Sequence, residues 1–297
     1  MYINKQKQHL DNVLKWKSDG IREKTELKWY SSDSKENFET YVKSEHPKTY
    51  DWFKDNPIEY KFNNYGFRTP DDFKLGTEFT EGDEGIAYLG CSHTAGVGTS
   101  WDDLWVSAVH QSFPNQKCIN LGVPAASPGT CLRLLLYYKK VLKINKVFHY
   151  SLLAPRYEFI YDTRNNRRYW DYFGAYLEEL KENNKKFPYD NYILNSFLTN
   201  EYRMIDQVKN FMAIRHICDE LGITYILVTE KMLKEWEGKK EHTERTEHYI
   251  KKNGLTFVPS RDGVHMNAKK HYILAQYFNF LNIDNKSTQI DFDICGF

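Results

Sequence analysis

From residue 85 onward, short apolar runs alternate with longer amphipathic stretches, and this alternation limits the possible folds more than any other feature of the chain. The runs are "GIAYLG" (85–90), "KCINLGV" (117–123), "KVFHYSLL" (146–153), "GITYILVT" (222–229) and the shorter "LTFVPS" (255–260). Each has strand length and the β-branched or aromatic content that a buried pleated strand accommodates. The stretches between them have helical spacing. "WDDLWVSAVHQSF" (101–113) brings Leu104, Trp105, Ala108 and Val109 to one face, and a long helix is expected near 200–220. "SPGTCLRLLLYYKKVL" (127–142) has Ser127 placed as a helix cap and Pro128 at the first position, where the missing N–H costs nothing. "NAKKHYILAQYFNFL" (267–281) closes the series, with Asn267 as its cap. Strands that alternate with helices pair in parallel, so the expected class is α/β, a three-layer αβα sandwich around a parallel sheet.

Residues 1–84 have a different texture, polar and lysine-rich with scattered aromatics. Helical patterns fall near 5–18 and 35–54, and "IEYKFNNYGFRTP" suggests two short strands about a turn at Asn63, Asn64 and Gly66. We read 1–84 as an N-terminal α+β appendage and 85–297 as the main domain, with a polar, aromatic insertion near 154–190.

Composition narrows the function. The 41 Lys and Arg nearly balance 40 Asp and Glu, leaving a net charge of +1 and no case for a dedicated nucleic-acid binder. Cys91, Cys118, Cys131, Cys218 and Cys295 form no CxxC and no Cys/His pairing at zinc-ligand spacing, so reduced thiols and neither metal nor cofactor are expected. Aromatic residues, 16% of the chain, supply core and surface packing, with a platform for stacking sugar rings as the alternative. No apolar run approaches the ~20 residues that span a bilayer. The start, "MYINKQKQHLDNVLKWKSDG", has no apolar core of the kind an export signal needs. A soluble cytoplasmic protein without a membrane partner is expected, and a phage-encoded origin fits equally well.

In open parallel sheets the chemistry collects in the crevice at the carboxyl ends of the strands. Three segments meet that condition: "GCSHTAGVG" after the first run, "NLGVP" at the end of the second, and "SRDGVHMN" between the last run and the last helix. A serine hydroxyl is a weak nucleophile until a base takes its proton, and the base needs an acceptor to hold its tautomer. Ser92, His265 and Asp262 are residue types for those three roles, and one short loop carries both of the last two.

These blocks resemble the SGNH (GDSL-type) hydrolase superfamily, whose fold is a flavodoxin-like α/β sandwich. "GCS" at 90–92 is similar to its G-D-S block, with Cys91 in place of the Asp. "NLGVP" is similar to the second block and "DGVH" at 262–265 to the D-x-x-H block. The likeness runs over residues 85–282 and leaves 1–84 outside. It implies Ser92 as nucleophile, His265 as base and Asp262 as its orienting acid. It also implies that the Ser92 and Gly122 N–H groups form an oxyanion hole. The family's third block would supply an Asn, and none follows "KVFHYSLL". A GCS branch carries a P-x-R-x-E segment there, to which "APRYEF" is similar, so Arg156 takes the missing donor's place.

Other readings stand beside these. Ser92 alone is an ordinary turn residue, and His93 is either a substrate contact or a loop histidine. Cys91 is a second thinkable nucleophile, although strand alternation turns it from the face of Ser92. Arg156 and Glu158 form a simple ion pair on another view, and "RNNRR" (164–168) with Tyr169 and Trp170 is a lid or a solvated loop. Taken together the sequence points to a serine esterase acting on a small acyl ester, such as an acetylated carbohydrate. The alternative is an inactive SGNH-fold binding or structural protein.

Overall fold

The computed structural model describes residues 26–63, 65–69, 84–140, 142–152, 156, 200–239, 241–242, 244, 247–248, 251, 260–263 and 265–283. Near the start of the described chain, β1 (Glu26–Leu27) pairs antiparallel with β2 (Tyr60–Lys61). Four further strands follow: β3 (Gly85–Gly90), β4 (Lys117–Asn120), β5 (Ile144–Ser151) and β6 (Thr224–Thr229). They form one sheet in the order β4-β3-β5-β6, with every pairing parallel. Numbered along the chain the order is 2-1-3-4, that of a doubly wound, flavodoxin-like sheet. The parallel α/β class expected from the alternation is what the structure shows.

The sheet is covered on both sides, which explains why its strands read as continuous apolar runs. Along β3, Ala87 and Leu89 face the helices Pro128–Tyr138 (α5) and Asn200–Glu220 (α6), with Leu134, Tyr138, Phe211 and Ile214 buried between. Ile86 and Tyr88 face the other way, toward Trp105–His110 (α4), Glu230–Glu237 (α7) and Ala268–Ile283 (α8). Trp105 and Phe278 stack there at 4.7 Å between ring centroids. Ser127 caps α5 by accepting from the Thr130 N–H at 3.2 Å while Thr130 Oγ1 accepts from the Ser127 N–H, and Pro128 opens the helix. Asn267 Oδ1 caps α8 by accepting from the Lys270 N–H at 2.9 Å.

Some boundaries differ from expectation. The single helix expected over 35–54 is two. In α1 (35–45) a π-helical turn, Phe38–Val42, joins Lys35–Asn37 to Lys43–Glu45, and α2 is Pro47–Asp55. The break falls at His46 because the ring of Pro47 disfavours a helical residue before it. The helix expected over 101–113 begins only at Trp105, after a turn closed by the Leu104 N–H on Trp101 O. Phe62 bridges Arg68 across the turn at Gly66, as the hairpin pattern suggested. The helix near 5–18, the insertion apart from Arg156, and the run 255–260 apart from Ser260 lie outside the described residues.

Residues 26–69 do not stand clear of the sheet. Tyr30, Phe38, Val42, Phe53, Ile58, Tyr60 and Phe62 form a third apolar cluster, and its other members are Ala95 and Val97, just after Ser92.

Candidate active site

The sheet reverses its winding between β3 and β5, so a crevice opens at their carboxyl ends. Gly90 ends β3, Cys91 is extended, and the chain turns at once into a one-turn helix, Ser92–Ala95 (α3). The Thr94 and Ala95 N–H groups donate to Cys91 O, and Gly96 leaves the helix with φ 75. Ser92 is 5% exposed at the start of that turn. Cys91 is buried in the core beside Leu89 and Leu121, so its thiol is a packing group.

Two contacts lock this turn from behind. Gly122 passes so close that a Cβ there would lie 2.5 Å from the Ala95 N and 2.6 Å from the Thr94 carbonyl carbon. Only glycine permits that approach. Asn120 then bridges the two segments, its Nδ2 donating to Thr94 O at 3.0 Å and its Oδ1 accepting from the Gly122 N–H at 2.9 Å. The Gly122 N–H, expected in the oxyanion hole, is therefore given to Asn120 in this structure.

Across the crevice, Asp262 and His265 share the loop before α8. His265 Nδ1 lies 2.5 Å from Asp262 Oδ2, and the His265 backbone N–H reaches Asp262 Oδ1 at 3.2 Å. Asp262 is fully buried, whereas the His265 side chain keeps 12% of its surface exposed. A carboxylate accepts only, so the Nδ1 carries the proton and Nε2 is left as the basic nitrogen. Among the described residues no hydrogen bond joins Ser92 Oγ to His265, and the Ser92 N–H has no acceptor.

His93 lies between the two walls. Its ring sits edge-on to that of His265, 5.1 Å between centroids, and its Nδ1 accepts from the Met266 N–H at 3.3 Å. Burial holds its pKa well below the ordinary histidine value, and the positive charge of Arg156 pushes the same way. His93 is thus a neutral ring whose proton is on Nε2. Arg156 is buried close enough to be felt at His93. The pair between Arg156 and Glu158 lies outside the described residues.

A cavity of about 260 Å³ opens against these groups. His93, His265, Met266 and Asn267 line one side, Tyr150 and Leu152 the end of β5, and Glu230, Leu233, Lys234 and Glu237 the wall from α7. Ser92 is not among its lining residues, whereas His93 and His265 are. Among the described residues no three His, Cys, Asp or Glu side chains are grouped to hold a metal, and no helix is long and apolar enough to cross a membrane.

The sequence did not point to the residues that brace the loop and the serine turn. Arg261 is buried and its guanidinium spans Asp33, with Nε at 2.9 Å from Oδ1 and Nη2 at 2.6 Å from Oδ2. Tyr60 donates its hydroxyl to Asp33 and accepts from the Gly98 N–H. Burial raises the Asp33 carboxyl above its ordinary range, and the hydrogen bonds from Arg261 and Tyr60 pull it back. Arg68 donates to Ala95 O, Gly96 O and Thr99 O, fixing the turn after Ser92. Burial lowers its guanidinium to about 10, which leaves it charged at neutral pH. Only Asn120 and Arg261 had a signal, since each lies within one of the singled-out blocks.

No protein-family model matches the chain, and neither does any curated protein. Among the solved structures similar to it are two lipolytic proteins. One, from Desulfitobacterium hafniense DCB-2, is assigned to the lipolytic G-D-S-L family; it is 11% identical, with 67% of this chain and 98% of that chain covered and a TM-score of 0.36. The other, a member of the lipolytic protein G-D-S-L family from Veillonella parvula DSM 2008, is 13% identical over 67% and 97% of the two chains, with a TM-score of 0.30.

Proposed function

We propose that this chain is a serine hydrolase of the SGNH type that cleaves a small acyl ester. The observation that carries the reading is the Asp262–His265 pair. A buried carboxylate oxygen sits 2.5 Å from His265 Nδ1, and the imidazole it orients borders an open cavity. Ser92 supports it from the opposite wall, at the strand end where the sheet's winding reverses.

In this reading His265 Nε2 takes the proton of Ser92 Oγ as that oxygen bonds to the ester carbonyl carbon. The carbonyl electron pair moves to oxygen, where the Ser92 and Gly122 N–H groups and Arg156 receive the charge. Gly122 serves once its N–H turns from Asn120 Oδ1. Collapse breaks the bond to the leaving oxygen, which takes the proton from His265. Water repeats the sequence on the acyl-serine and releases the acid. Asp262 stays ionised and holds the ring. His93, neutral and donating through Nε2, faces the same cavity and contacts the substrate. An acetylated carbohydrate is the substrate we favour, because a cavity walled by Glu230, Lys234 and Glu237 suits a polar group better than a long acyl chain.

A second reading, an inactive protein that uses the fold for binding, draws on two observations: no hydrogen bond from Ser92 to His265, and the Gly122 N–H held by Asn120. Hydrolysis of p-nitrophenyl acetate by the full chain distinguishes the two. We expect turnover that falls by on the order of 10⁴-fold in Ser92→Ala and in His265→Ala. Turnover equal in all three proteins, or none in the wild type, would favour the binding protein.

A further inference from the structure

The Asp262 oxygen that faces His265 has a second partner from far away in the chain. Ser32 Oγ donates to Asp262 Oδ2 at 2.9 Å, across 230 residues of sequence. Ser32 is itself held tightly. It lies in a turn in which the Tyr30 N–H reaches Asp33 O at 2.9 Å and the Asp33 N–H returns to Tyr30 O at 3.1 Å. Ser31, before it, has a left-handed backbone with φ 59. Asn37 Nδ2 donates to Ser32 O at 2.7 Å, and the neighbouring Asp33 is clamped to Arg261, next to Asp262. Trp29 adds its ring face 4.2 Å from the Arg261 guanidinium.

We propose that Ser32 is a positioning residue for the Asp262–His265 pair, contributed by the N-terminal segment from outside the α/β sheet; this rests on the function proposed above. The His265 Nδ1–H on Oδ2 and the His265 N–H on Oδ1 both come from the residue that Asp262 has to position, so these two bonds cannot by themselves fix the pair against the rest of the fold. The Ser32 hydroxyl occupies the second acceptor direction of Oδ2, so the carboxylate plane and the imidazole it holds are fixed together. A fully buried carboxylate also needs donors to stay charged, and this hydroxyl is one of them. The fold does not rest on this bond alone. Asp33 and Arg261 already anchor the two segments, and the partly exposed Ser32 leaves no cavity when its oxygen is removed.

The test compares wild type, Ser32→Ala and Ser32→Thr in the full chain. One readout is the proton NMR resonance of the His265 Nδ1–H, far downfield because the proton lies between imidazole and carboxylate, assigned by its loss in His265→Gln. The other is the rate at which a fluorophosphonate labels Ser92. We expect Ser32→Ala to remain folded with a modestly lower melting temperature, to shift or broaden the resonance, and to label roughly tenfold more slowly, the low end of what outer-shell partners contribute at histidine sites. Ser32→Thr, which restores the hydroxyl, recovers both. A resonance and labelling rate unchanged in Ser32→Ala would overturn the proposal. A resonance that responds to Ser32→Ala in a protein that never labels would uphold the positioning role and defeat the hydrolase reading instead.

Discussion

On the serine side of the crevice the backbone does the positioning. A strand ends at Gly90, a one-turn helix follows, and Gly122 slides beneath it where no side chain fits. On the histidine side the work is done by buried side chains from distant parts of the chain. Asp33 meets Arg261 across 228 residues, Ser32 meets Asp262, and Gly98 closes against Asp262 with φ 73. The first wall is built by the α/β fold, with Arg68 from the N-terminal segment holding the turn after Ser92. The second is braced by Ser32 and Asp33, so the segment that reads as an appendage packs directly against the candidate site.

Breaking the histidine wall should cost most. Asp33→Ala leaves the Arg261 guanidinium buried without its carboxylate, and removal of one partner of such a pair costs about 3–5 kcal/mol. Urea unfolding should show that loss, together with loss of Ser92 labelling. Full stability in Asp33→Ala would mean that the N-terminal segment is a loose attachment.

Attacking the serine wall should cost less in stability. Gly122→Ala forces its Cβ against the Ala95 N and the Thr94 carbonyl carbon, and overpacking of this kind costs about 1–3 kcal/mol. Labelling should fall by more than stability suggests, because the displaced atoms belong to the Ser92 turn. A variant equal to wild type in both assays would show that the turn is free to move.

Acid acts on the fold by way of buried histidines. Burial lowers His271, behind the histidine loop, to about 3, and does the same to His149 on β5. Both are neutral in the folded state. Below their ordinary value of 6.5 the unfolded chain takes up protons that the folded chain refuses. Their contribution is therefore complete above that pH and declines as pH falls toward 3. Each pH unit below 6.5 should remove up to ~1.4 kcal/mol per histidine, read as a falling melting temperature. A melting temperature flat through that window would contradict the burial assigned to them.

The smallest effect is a control away from both walls. Ser127→Ala removes the cap of α5 and should cost about 1 kcal/mol. It should leave Ser92 labelling untouched; slower labelling there would mean that the serine wall depends on the helix behind it.

What the sequence revealed follows the same division. The runs 85–90, 117–123, 146–153 and 222–229, the caps Ser127 and Asn267 and the blocks at Ser92 and Gly122 are local patterns, and the structure has strands, caps and strand ends where the spacing put them. Pro47 could have told of the break at His46, since proline's effect on the residue before it is local too. Ser32, Asp33 and Tyr60 carried no such signal. Their roles arise from one polar cluster closed across more than two hundred residues, and nothing in "YSSDS" distinguishes it from an exposed turn. Asn120 shows the intermediate case, since it stands two residues before Gly122 and its amide matters only once the strand end meets Thr94.

The central claim is that Ser92 is activated by His265. Intact mass after exposure to a fluorophosphonate tests it most directly, with wild type, Ser92→Ala and His265→Ala measured in parallel. We expect one adduct on the wild type and none on either variant. A folded wild type that gains no mass, or a His265→Ala protein that labels as fast as wild type, would contradict it.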